Sequence, residues 1–329
     1  MSSYPPPTSQ GFAPFTLSST SDDTDSSTTC QTFYKIYGSL SCTSPPTAGK
    51  HPLIIVHGGP GSTHDYVLPL VFLHTKYNIP LVFYDQLGSG ESTHLPEKSG
   101  ELGKAFWTEE VFMDQLDSLV KHLGLETQDD GDKVYDILGH SWGGMLIMRW
   151  AARRQPKGLR KLVVSNSPAS MELFVEGTLK LRKELPEEVQ KALNEHEAAG
   201  TTDTPEYHAA EQAFYDRHLC RVKPLPEGLM TSFTKMQQDA TVYHIMNGPS
   251  EFFVTGTLKP WSIIPDLPLI ATPALLLNGR HDEVQESAVR PIFEGLKRVK
   301  WVVLEEASHL SFVEVEERYG EVVNGFLRG

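Results

Sequence analysis

Ser141 lies in Gly139-His140-Ser141-Trp142-Gly143, which fits the pattern G-x-S-x-G. The apolar run VYDIL precedes it, and WGGMLIMRWAARR follows. A serine bracketed by glycines between a strand and a helix meets the requirement for a nucleophile elbow. The backbone turns sharply, the glycines avoid Cβ clashes, and the hydroxyl is left exposed beside the positive end of the helix. The chemistry this points to is acyl transfer through a covalent intermediate, and it needs a base with an acid behind it. The competing reading is a tight turn that happens to carry a serine.

The chain has 13 histidines, and chain order selects among them. Where a strand–turn–helix serine is used, the acid follows the serine and the histidine follows the acid. Asp282 in GRHDEV stands after the apolar run ALLLN, and only His309, in EEASHLSF, lies beyond it. His309 can take the serine proton and return it to a leaving group, while Asp282 fixes the imidazole tautomer and stabilises the imidazolium. Glu283, the next residue, is the rival for the acid role. HGGPGS (57–62) directly follows LIIV. Glycines there let amides approach a developing oxyanion, and the Gly59 and Trp142 amides are the expected pair. His57 and Pro60 read as shaping this loop, and Asp85 as organising YDQLG. No phosphate-loop, dinucleotide or H-E-x-x-H pattern occurs, so neither a metal nor a cofactor is expected.

These residues need a frame to hold them. Leu53 to Val56, Leu81 to Tyr84, Val134 to Leu138, KLVVS (161–165), ALLLN (274–278) and WVVLE (301–305) are short, continuous apolar runs. Parallel strands covered on both faces require that pattern. A helix with Thr108 as N-cap and Gly124 as C-cap puts Phe112, Leu116, Leu119, Val120 and Leu123 on one face. TFYKIYGSL alternates like a half-buried strand, and GFAPFTL is a candidate edge strand. The alternation predicts an α/β fold with a mostly parallel, doubly wound sheet. Residues 171–265 break it with ELFVEGTLKLRKEL, PEEVQKALNEHEAA and PEYHAAEQAFYDRHL, all helical in pattern. A helical cap inserted before the acid-bearing strand would sit over the strand ends; the alternative is a covering layer without substrate contact. The expected division is a partly disordered tail over 1–30, core over 31–170, cap over 171–265 and core again over 266–329.

The 329 residues carry a formal charge of −13, which argues against nucleic-acid or anionic-membrane partners. Cys30, Cys42 and Cys220 suit neither a disulfide framework nor a zinc site. The polar start lacks the pattern of a signal peptide, and no run approaches the ~18 apolar residues of a membrane span. A soluble, cytoplasmic protein of open oligomeric state is expected.

HGGPG, YDQLGSGES, GHSWGG, MNGPSEF and GRHDEV, in this order, resemble the proline iminopeptidase family of α/β-hydrolases, in the form that includes the tricorn-interacting aminopeptidases. The likeness runs from about Thr32 to the C-terminus. It implies the α/β-hydrolase fold and removal of an N-terminal residue, often proline, from short peptides or aminoacyl amides. It also implies that two glutamates hold the substrate's free amine, and by motif these are Glu251 and Glu283. Two carboxylates can replace the hydration that an ammonium loses on entering a lidded cleft. An esterase or small-molecule amidase on the same triad is the alternative, and a non-catalytic binding module is a third reading. Dehalogenase or epoxide-hydrolase chemistry would want an aspartate in place of Ser141.

Overall fold

Six short apolar runs become parallel strands in the computed structural model, which describes residues 4–17, 28–40, 50–127 and 134–329. They are β3 (Leu53–Val56), β4 (Leu81–Tyr84), β5 (Tyr135–His140), β6 (Leu159–Ser165), β7 (Ala274–Gly279) and β8 (Val299–Leu304). Every residue of β3, β4, β5 and β7 is buried, as a strand covered by helices on both faces must be. β1 (Ser9–Thr16) and β2 (Thr29–Tyr37) pair antiparallel and extend the sheet beyond β4. The order is β1-β2-β4-β3-β5-β6-β7-β8.

Part of the polar N-terminal tail is therefore built into the sheet, with Phe12 opposite Phe33. Residues 1–3 and 18–27, on which the expectation of disorder also falls, lie outside the described residues, as does Cys42. Cys30 and Cys220 are buried free thiols. The helix Glu109–His122 follows Thr108, whose side chain makes no capping bond. Its C-cap is Leu123, and Gly124 stands one position later at φ +67°. The glycine thus supplies the left-handed residue just past the cap instead of the cap itself.

Register aligns the strand ends that matter. Val56 is level with Gly139, and His140 is level with Ser165. The chain lays β4 on one side of β3 and then β5 on the other. Loops leaving β3 and β5 consequently diverge at a topological switch point, where open α/β sheets form a ligand crevice. HGGPG and Ser141 leave the sheet there, and the loops after β7 and β8 bring Asp282 and His309 to the same edge.

Between β6 and β7 lie five helices: Met171–Arg182, Glu187–Ala199, Pro205–His218, Glu227–Gln238 and Thr241–Met246. The last two fall outside the stretches whose periodicity is helical on inspection; the segment 223–239 mixes Pro, Thr, Ser, Gln and Met without a clean apolar stripe. These helices carry a small core of their own, including Leu181, Leu193, Tyr207, Phe214 and Phe252. Two polar ties fasten this insertion to the sheet layer, one at the helix Glu227–Gln238 and one at the segment 262–266 that leads back to β7. Ser232 Oγ accepts from Tyr66 N at 3.1 Å and lies 2.6 Å from Thr63 Oγ1. Buried Arg149, on the helix behind Ser141, reaches Glu109 Oε1 at 2.9 Å, the Ser262 carbonyl at 2.7 Å, and Asp266. No helix among the described residues is long and apolar enough to cross a membrane.

Candidate active site

Ser141 is the residue before the helix Trp142–Arg154 and has φ 56° and ψ −126°. A non-glycine residue adopts that conformation only where its surroundings impose it. Packing imposes it here. A Cβ on Gly139 would meet the Gly143 carbonyl, and one on Gly143 would meet the carbonyl oxygens of Val56 and His57. The two glycines let the strand end, the elbow and the helix start pack at backbone distance. Ser167 Oγ donates to the Ser141 carbonyl at 2.8 Å and pins the turn from below.

His309 Nδ1 lies 2.8 Å from Asp282 Oδ1. Asp282 is fully buried and its oxygens are occupied: Oδ1 also accepts from Val284 N at 2.9 Å, and Oδ2 accepts from Asn166 Nδ2 at 2.7 Å. Glu283 turns to the opposite face of the ring. Its Oε1 is 3.6 Å from His309 Nε2, while its buried Oε2 has no hydrogen-bond partner. The two acids differ in direction: Asp282 meets Nδ1, and Glu283 faces Nε2.

Glu251 accepts from Tyr243 Oη at 3.0 Å. It lines, with Ser141, His309, Gly59 and Tyr66, a cavity of about 430 Å³ whose far wall is Leu229, Met230 and Phe233 of the helix Glu227–Gln238. A second, narrow pocket opens from the same point between Met145, Met171, Phe174, Leu258 and Val284, with Glu251 on its rim. Burial holds the Glu251 carboxyl up at about 7. Burial also pushes Glu283 upward; the His309 imidazolium beside it opposes this by favouring the carboxylate, and the charges of Glu251 and Asp282 add to it. Burial acts downward on His309, but the Asp282 and Glu283 carboxylates outweigh it and hold the imidazole at about 9.

In the HGGPG loop, Gly58 N donates to Tyr66 Oη at 2.5 Å, so that amide is already used. Gly59, at φ +108°, is the next amide and lines both pockets together with Ser141. The Trp142 amide opens its helix, where N–H groups have no intrahelical acceptor. His57 bonds its own loop at the Gly58 carbonyl (3.0 Å) and accepts from Gln86 N (2.9 Å). Asp85 accepts from the amides of His64 (2.7 Å) and Glu91 (2.8 Å). Among the described residues no three His, Cys, Asp or Glu side chains converge as a metal-binding group.

The sequence reading missed Tyr66, His140 and Asn166. Tyr66 Oη is 2.9 Å from His140 Nδ1, and His140 Nε2 is 2.9 Å from the His309 carbonyl. Because Tyr66 Oη accepts from Gly58, it donates to Nδ1, and Nε2–H donates to His309. Burial keeps His140 neutral, and this chain of bonds ties the glycine loop to the histidine loop. His140 sits inside the motif, but its partners are far apart in sequence and give no local signal.

A strained serine above a parallel sheet, with a histidine and a buried aspartate from later strand ends, defines an α/β hydrolase. Residues 51–315 match the family model described as the alpha/beta hydrolase fold. The chain is 34% identical over 275 residues to a proline iminopeptidase of Saccharolobus solfataricus, covering 84% of each. The crystal structure of proline iminopeptidase from Mycobacterium smegmatis superposes with a TM-score of 0.82 at 38% identity, covering 97% of both chains. That of VinJ gives 0.86 at 45% identity, covering 98% of this chain and 99% of the other. This chain belongs to the proline iminopeptidase family.

Proposed function

We propose that the protein is a serine aminopeptidase that removes an N-terminal proline, or another small apolar residue, from short peptides or aminoacyl amides. The observation carrying this reading is the pair of half-buried Glu251 and buried Glu283, with Glu283 Oε2 unpartnered beside the catalytic histidine. A buried acceptor without a partner costs free energy, and a substrate ammonium would supply the missing donors. The narrow pocket between Met145, Phe174 and Val284 suits a small apolar side chain next to that amine.

In this mechanism Ser141 Oγ attacks the carbonyl of the first residue as His309 Nε2 takes its proton. The Gly59 and Trp142 amides receive the oxyanion, His309 protonates the departing amine, and water then releases the acyl group by the same base. The free amine lets the site count residues, since a longer chain would carry an amide where the carboxylates demand a cation. The acidic overall charge fits a cationic substrate, and the buried unpaired thiols fit a reducing, cytoplasmic setting.

The test compares kcat/KM for prolyl-arylamide with its N-acetyl counterpart. Acetylation should lower kcat/KM at least ~100-fold, because a site built for a polar group rejects analogues that leave it unpaired. Equal rates would instead make the protein an esterase or amidase that keeps Ser141 and has no use for the glutamate pair.

A further inference from the structure

His309 has a carboxylate on each ring nitrogen, which a serine triad does not require. Asp282 meets Nδ1 at 2.8 Å, and Glu283 stands 3.6 Å from Nε2, the His309 and Glu283 side chains being 4% and 1% exposed. Nε2 must be unprotonated to accept the Ser141 proton. An anion placed against it in a dry site favours the protonated form instead. Left alone, this arrangement opposes the first step of the reaction.

We propose that in the substrate-free enzyme Glu283 holds His309 Nε2 protonated as an ion pair, and that the substrate's ammonium, by taking Glu283, releases that nitrogen to act as base. This rests on the amine-binding reading of Glu251 and Glu283. The proton balance is simple. Ammonium binding brings a second cation to Glu283, the imidazolium loses its counter-ion on the Nε2 side while Asp282 keeps Nδ1–H, and the Nε2 proton departs to water through the cavity. The free lone pair then accepts the Ser141 hydroxyl proton as the acyl bond forms. A ligand without an amine leaves the ion pair in place, so hydrolysis of wrong substrates and of water-borne esters is suppressed at the base itself.

The other groups around His309 do not offer a competing switch. From β5, the His140 ring packs edge-on at 4.7 Å with both nitrogens engaged, Nδ1 by Tyr66 Oη and Nε2 by the His309 carbonyl; burial holds it neutral. From the cap, the His218 carbonyl accepts His309 N at 3.1 Å, while its own Nδ1 is bonded to the His281 carbonyl at 2.9 Å. Glu314 is engaged by Ser308 N and Oγ. The Tyr66 and Tyr243 phenols are pushed up by burial and stay neutral. Glu251 adds negative charge from the cap, and together with Asp282 and Glu283 it holds the imidazole at about 9 in the free site.

The experiment compares the para-nitrophenyl esters of proline and of cyclopentanecarboxylic acid, which differ in the ring nitrogen. The acid limb of kcat/KM reports the free enzyme, and that of kcat reports the bound complex. For the prolyl ester, the kcat limb should fall at least one pH unit below the kcat/KM limb; for the carbocyclic ester the two should coincide. Coincident limbs for the prolyl ester would overturn the inference. Equal kcat/KM for the two esters would overturn the amine-binding reading and this inference with it. In Glu283→Gln, the carbocyclic limb should drop by about one to three units, the range an adjacent opposite charge commands. An unmoved limb in that variant would also refute the proposal, and if the variant fails to fold the wild-type comparison still decides.

Discussion

Replacing Glu251 by Gln should make the protein a poorer enzyme and a more stable one. The carboxyl is held at about 7 against an ordinary 4.5, chiefly by burial. Its neutral form is thus favoured in the fold, a contribution present below pH 4.5 and lost as pH rises through 7. At pH 8 that displacement penalises the ionised form by about 3 kcal/mol. Because the residue keeps part of its surface toward the open cavity, about 2 kcal/mol is the realistic share. Gln keeps the acceptor for Tyr243 Oη and carries no charge to desolvate. At ~2.1 cal/mol/K per residue, 329 residues give roughly 0.7 kcal/mol/K, so Tm at pH 8 should rise by about 3 °C. Near pH 4.5 wild type and variant should melt together. Catalysis should move the other way. A hydrogen bond to a charged group is worth ~1.5–3 kcal/mol, which predicts a 10- to 150-fold lower kcat/KM for prolyl-arylamide. The N-acetyl substrate should be nearly unaffected. Thermal melts at the two pH values and kinetics on both substrates check this. A variant that is destabilised at pH 8 and retains wild-type kcat/KM would refute the reasoning, because the carboxylate would then be a structural ligand and not a waiting one.

Ser141→Ala should lower kcat by ~10⁴ to 10⁶-fold in a protein that still folds, since triad members act as a unit; more than a tenth of wild-type activity in the purified variant excludes the mechanism. Asp282→Asn should cost about 10⁴-fold in kcat through the wrong histidine tautomer. It also sets an amide against two donors, Val284 N and Asn166 Nδ2, so circular dichroism must accompany the kinetics. Gly143→Ala places a methyl against the backbone carbonyls of Val56 and His57 and should cost about 1–3 kcal/mol, read by urea unfolding, with a more than tenfold loss of kcat as the elbow shifts. An unchanged urea midpoint would show that the elbow has slack.

Ser141, His309 and the glycines around the elbow are legible in the sequence because the signals are local. A serine needs glycines where strand turns to helix, and strand order leaves one histidine after the acid. The apolar runs of β3 to β7 are equally plain, since burial on both faces removes polar residues from short segments. The antiparallel edge built by β1, and the helices at 227–238 and 241–246, are weaker signals: each is too short or too mixed to show a clean apolar period, and what stabilises them is contact with other elements. Asp282 and Glu283 are neighbours of the same charge, and nothing in GRHDEV says which backs the base. The loop after β7 decides it by pointing one carboxylate at Nδ1 and the other at Nε2. Tertiary structure alone joins Tyr66, His140 and His309, 243 positions apart end to end by their numbers 66 and 309, into one chain of hydrogen bonds. It alone also brings Glu251 from the cap to the rim of the pocket beside Ser141, and leaves Glu283 Oε2 buried without a hydrogen-bond partner. Types and order of groups are written in the chain; direction, burial and the missing partner exist only once distant segments are packed together.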